Sequence, residues 1–87
     1  MKMIIVIVKD SDADSVTQAL TANDFRVTRI ASTGGFLRSG VVTLLIGVNE
    51  ERVEAGIKAI RRNLGESSSG ESRATLFVVP VQRFEQV

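Results

Sequence analysis

No cysteine and no histidine occur in the sequence. Without cysteine there is no disulfide staple, and without either residue the usual ligands for zinc, copper or iron are missing. Nucleophilic catalysis through a serine needs a base to take its proton, normally histidine, and that base is absent. Tryptophan and tyrosine are also absent, which leaves four phenylalanines as the whole aromatic content. None of these lies in the apolar runs Met3–Val8 or Val41–Val48. A single-stranded nucleic-acid module needs stacking rings on its central strands, so that function is disfavoured.

Strong charge of either sign is missing too. Eleven basic and ten acidic residues leave a formal net charge of +1, a field too weak to favour non-specific attraction to a nucleic-acid backbone. No apolar run approaches the roughly 20 residues of a membrane-spanning helix. The run Met3–Val8 is too short for the core of a secretion signal. The expectation is a soluble, cytoplasmic protein.

What is present reads as one domain, residues 1–87. A chain of this size buries only about 60–65% of the surface its unfolded form exposes, so association with further copies would help it. Met3–Val8 is β-branched and continuous, a strand pattern. From Asp12 the period changes: Ala13, Val16, Ala19 and Leu20 share a helical face. Asp10, Ser11 or Asp12 is the expected N-cap, and the helix fades near Asn23-Asp24. Strands are expected from Phe25 to Ser32 and from Val41 to Val48. Val53, Ile57, Ile60 and Leu64 form a second helical core face after the capping residue Asn49. Glu54, Lys58, Arg61 and Arg62 lie opposite as a solvated face, with Glu54 four residues ahead of Lys58. Gly65 ends that helix. The stretch from Gly65 to Ser72 has the composition of a flexible loop. A last strand, Ala74–Val79, runs into the single proline, Pro80, which fits a strand only at an edge or an end.

The order β-α-β-β-α-β predicts an α+β, ferredoxin-like fold: a four-stranded antiparallel sheet with two helices on one face. The strands IIVIV, VVTLLIGV and TLFVV are nevertheless apolar on both alternating sets of positions, which predicts burial of the uncovered face as well. The simplest cover is another copy of the chain in a closed, symmetric oligomer.

The stretch FRVTRIASTGGFLRSGVVTLLIG, from Phe25 to Gly47, is the most informative segment. A hairpin needs about two to five turn residues, yet here Phe36, Leu37 and Arg38 follow Gly34-Gly35. A ring and a cation at a loop tip suit a ligand or a neighbouring subunit better than the interior of the same chain. Asp10, Asp12, Asp14 and Asp24 are explained by helix capping rather than acid–base chemistry. Gly34-Gly35 joins two strands and is a weak match to a phosphate-binding loop, which opens a helix.

Laid out in this way, MIIVIVKDSDA, FRVTRIASTGGFLRSG, TLLIGVNEERV and ATLFVVPVQRFE together resemble the PII-like cyclic-di-AMP receptors of bacteria. These are ferredoxin-like homotrimers that hold a cyclic dinucleotide in the clefts between subunits and catalyse no reaction. The resemblance implies that cyclic-di-AMP is the ligand, that no cofactor is needed, and that a protein target of unknown identity lies downstream. It further implies that Arg26 and Thr28 meet phosphate and base edges, that Phe36 packs on an adenine, and that Leu37 lines the base pocket. Gly35 and Gly47 would allow close backbone approach. Each position has an ordinary structural alternative: Arg26 pairing with Asp24, Thr28 as a plain strand residue, Gly47 marking a bulge.

The chain departs from the family pattern in three places. Val41 stands where relatives commonly have an Asn beside the base. Asp24 occupies another frequent Asn position and would bring a negative charge near the phosphates. The segment from Gly65 to Ser72 is short where the family has a long loop that moves with ligand. The leading reading is a non-enzymatic signalling protein that relays nucleotide binding through loop rearrangement. The alternative is a trimeric scaffold that has lost the nucleotide and acts through protein contacts.

Overall fold

A computed structural model describes residues 1–31, 40–65 and 73–87. Along the chain come β1 (Lys2–Lys9), α1 (Asp10–Ala22), β2 (Arg26–Ala31), β3 (Val41–Val48), a 3-10 turn (Glu50–Arg52), α2 (Val53–Arg62) and β4 (Ala74–Pro80). The strands form one sheet in the order β2-β3-β1-β4, and each neighbouring pair is antiparallel. This is the α+β, ferredoxin-like arrangement expected from the sequence. The middle of the Gly-rich connection, including Gly35, Phe36 and Leu37, and most of the Ser-rich segment lie outside the described residues.

Alternation along the strands sorts side chains onto two faces. Ile4, Val6 and Val8 of β1 and Val42, Leu44, Ile46 and Val48 of β3 are buried, as are Ala13, Val16 and Leu20 of α1 and Ile60 of α2. Each large side chain among them contributes about 1.5–3 kcal/mol by leaving water. Gly56 allows α2 to approach closely, since a Cβ there would stand 3.1 Å from Ile4 Cδ1.

The α1–β2 connection is set by hydrogen bonding. Phe25 N–H donates to the Leu20 carbonyl at 3.0 Å and Asp24 N–H to the Thr21 carbonyl at 3.1 Å, with Asp24 in the left-handed region at φ 64°. This is a Schellman ending with its apolar pair, Leu20 and Phe25, in the core. Arg52 locks it from above: its guanidinium lies 4.1 Å from the Phe25 ring centroid and donates to the Asn23 carbonyl at 2.8 Å.

The helix starts differ from expectation. No side chain caps α1, which begins at Asp10 directly after β1. The amide of Asp10 donates instead to the Gly40 carbonyl at 2.8 Å. Asp12 turns inward and accepts from Arg73 Nη2 at 2.9 Å and from Gly65 N–H at 3.2 Å. A charge-assisted bond to a guanidinium is about twice as strong as one to a neutral amide, which is why the carboxylate goes to the arginine. Asn49 likewise makes no side-chain cap; its carbonyl accepts from Arg52 N–H at 2.9 Å instead. Glu54 and Lys58 form no ion pair among those found in the described residues.

Candidate functional site

Three rows of largely apolar side chains, broken by Arg26 and by threonines, cross the sheet face away from the helices. Register places Arg26, Gly47, Met3 and Val79 in one row across the four strands, Thr28, Leu45, Ile5 and Phe77 in the next, and Ile30, Thr43, Ile7 and Thr75 in the third. Within the single chain this face is incompletely covered: Phe77 is 54% exposed and Ile30 41%, while Met3, Ile5, Ile7 and Leu45 are half-buried. Burial of this second face is therefore not completed within one chain.

At the end of the face where β1 starts and β3 finishes lies a cavity of about 420 Å³, lined by Met1, Met3, Arg26, Thr28, Leu45, Gly47, Val81, Phe84 and Gln86. Three of the residues expected to bind ligand, Arg26, Thr28 and Gly47, come together here. The walls combine an apolar floor with one guanidinium, one hydroxyl and one side-chain amide, chemistry suited to a flat base carrying an anionic group. Arg26 makes no ion pair with Asp24 among the described residues. Gly47 sits in unbroken register with both Met3 and Arg26 and so marks no bulge. A Cβ at Gly47 would meet only Met1 Cε, at an ordinary 3.9 Å. The subunit's own packing does not require glycine at this position.

The part of the lining that comes from the C-terminal tail escaped sequence reasoning. The chain after β4 stays close to the N-terminus, with Val81 N–H donating to the Met1 carbonyl at 3.0 Å, and carries Phe84 and Gln86 to the cavity. Phe84 remains 60% exposed. A lone aromatic in an irregular polar tail was the only available signal.

Val41 lies elsewhere. It faces Lys9 at the opposite end of β3, beyond the cavity lining. The 32–39 connection also leaves β2 at that far end, after Ala31. Arg26 and Ala31 are five positions apart, about 17 Å at 3.4 Å per residue.

Among the described residues no group of acidic, histidine or cysteine side chains is arranged to hold a metal ion, and no described helix is long and apolar enough to cross a membrane.

A solved structure of a protein from Pediococcus pentosaceus, described as functionally unknown, is similar throughout. It is 33% identical, with a TM-score of 0.79 over 99% of this chain and 96% of its own. The similarity takes in β4 and the tail. The family model for the cyclic-di-AMP receptor matches residues 1–69, a span containing Arg26, Thr28 and Gly47 and all of the 32–39 connection. With that match over most of its length, on the fold expected of such proteins, the chain belongs to the PII-like cyclic-di-AMP receptor family.

Proposed function

We propose that this protein is a homotrimeric, non-enzymatic receptor that binds cyclic-di-AMP between subunits and relays occupancy to a protein target through loop rearrangement. The observation that carries this reading is the row Arg26–Gly47–Met3 at the floor of an open cavity. It pairs a guanidinium that forms no ion pair among the described residues with a glycine that the fold itself does not need.

Arg26 supplies charge-assisted hydrogen bonds to a phosphodiester oxygen. Thr28, one step along the same face, offers a hydroxyl to a phosphate or a base edge. Gly47 leaves room for a base against the strand backbone. Phe36 stacks on an adenine with Leu37 beside it, and Gly35 permits close approach of the chain; stacking of this kind contributes about 1–3 kcal/mol per base.

Placement at a subunit boundary is supported by geometry. The Arg26 end of the sheet and the strand ends from which Gly35, Phe36 and Leu37 depart are about 17 Å apart along β2. Pairing one subunit's Arg26 end with a neighbour's 32–39 connection brings both groups onto one ligand. The apolar rows around Ile5, Leu45 and Phe77 give the copies a surface on which to associate. The departures at Val41 and Asp24 weaken the site without removing its guanidinium.

The test is equilibrium binding of labelled cyclic-di-AMP to the purified chain and to Arg26→Ala, with mass by light scattering. Saturable binding to a trimer, lost in the variant while the trimer persists, supports the proposal. Equal binding by both chains, or none by either, contradicts it.

A further inference from the structure

Between the two helices, on the side of the sheet opposite the largely apolar rows, lies a second cavity of about 330 Å³. Three cations, Arg52, Lys58 and Arg62, line it together with three alanines, Ala19, Ala55 and Ala59. Among the described residues no acid is part of that lining. Ala55, Lys58, Ala59 and Arg62 follow one another along α2 at helical spacing and form a single stripe. The sequence reads Lys58, Arg61 and Arg62 as one solvated face, but the fold divides them. Arg61 turns to the other side of α2, where it lines a small cavity with Ile57, Leu64 and Leu76.

The positive charge here is local. Taking these three from the eleven basic residues leaves eight against ten acids, so the rest of the chain is net acidic. None of the three forms an ion pair among the described residues, whereas Arg29, Arg73 and Arg83 do. Arg52 is fixed in advance, 4.1 Å over the Phe25 ring and donating to the Asn23 carbonyl at 2.8 Å. A guanidinium has five N–H donors, so this bond leaves others for a guest, and a fork already held in place loses little freedom on binding. Arg52 and Lys58 are six positions apart and Lys58 and Arg62 four, about 9 Å and 6 Å at 1.5 Å per residue. An extended chain presents same-side side chains about every 7 Å. The series therefore matches carboxylates strung along a peptide better than one compact anion. A nucleic acid fits poorly, because the one ring in the lining, Phe25, is buried beneath Arg52 and offers no stacking platform.

We propose that this helix face is a docking surface for an acidic peptide segment, whose carboxylates pair with Arg52, Lys58 and Arg62. This deepens the receptor reading and rests on it only for making that segment part of the downstream protein target. Association of copies through the sheet face away from the helices leaves the cleft open, so nucleotide and partner occupy opposite sides of the sheet. The charge complementarity acts mainly on encounter and on choice of partner, and it weakens as salt rises.

Fluorescence anisotropy of a labelled hexaglutamate peptide, titrated with the full chain at low salt and without nucleotide, tests this directly. Binding should be saturable and should weaken as salt is added. Lys58→Glu and Arg62→Glu should each weaken it about fivefold. Arg61→Glu, the same charge change one residue away, should leave affinity within about twofold. All three positions are exposed, so the variants keep the fold, which circular dichroism checks. In amide NMR spectra Ala55, Ala59 and Asn63 should shift on addition of the peptide while Gly47, in the nucleotide cavity, holds still. Equal losses in Arg61→Glu and Arg62→Glu, shifts centred on Gly47, or no binding at all overturn the proposal. So does binding of hexaglutamine as tight as that of hexaglutamate, or tighter binding of hexathymidylate. Because no nucleotide is present, a chain that fails to bind cyclic-di-AMP still passes or fails this test by itself.

Discussion

Arg26 and Gly47 face each other directly across the β2–β3 pair, a long cation set opposite a residue with no side chain. The pairing opens the cavity wall at the point where the guanidinium enters it. Replacing Arg26 by Ala removes an exposed side chain, so the fold should keep its stability within about 0.5 kcal/mol. Affinity for cyclic-di-AMP should fall by the value of a charged hydrogen bond, about 1.5–3 kcal/mol. That is roughly 10- to 150-fold in the dissociation constant, read by titration alongside thermal melting.

Gly47→Ala separates fold from ligand more sharply. The added Cβ meets only the end of Met1, and glycine inside a strand costs about 0.5–1 kcal/mol relative to alanine. The melting temperature should hold or rise while nucleotide binding weakens. A fall in stability without loss of binding would mean that glycine serves the strand.

Asp24 adopts the left-handed conformation at the Schellman position where glycine is the usual occupant. Asp24→Gly should therefore stabilise the chain by up to about 1 kcal/mol, or roughly 4–8 °C in melting temperature for a domain of this size. Asp24→Val, which tolerates that conformation poorly, should destabilise it. Thermal unfolding of the three chains gives the order.

The outer apolar rows predict assembly. Phe77, more than half exposed at the centre of its β4 position and one strand from Ile5, should lie against a neighbouring copy. Phe77→Glu places a charge there and should yield folded monomers, seen as a drop in mass by light scattering with circular dichroism unchanged. A trimer that survives the substitution would place the contact elsewhere.

Strand periodicity carried most of the fold. The nearly continuous apolar run of β3 defines its limits at Val41 and Val48, as observed, and the apolar spacing of α2 puts Ile60 in the core. Capping was misread because Asp10, Ser11 and Asp12 satisfy a local rule equally well, while the deciding partners, Arg73 for Asp12 and the Gly40 carbonyl for the Asp10 amide, are distant in sequence. Arg26, Thr28 and Gly47 were legible as a group through family resemblance. Their grouping in space follows from a register that pairs residues across two strands. Phe84 and Gln86 were not legible, since an irregular tail has no period to tell which surface it crosses.

The most direct test of the account is calorimetric titration of the purified protein with cyclic-di-AMP, with cyclic-di-GMP, ATP and AMP as comparators at two temperatures. The account predicts selective, saturable binding of cyclic-di-AMP near one molecule per subunit. Absence of heat with cyclic-di-AMP at both temperatures, or an equal response to all four nucleotides, would contradict it.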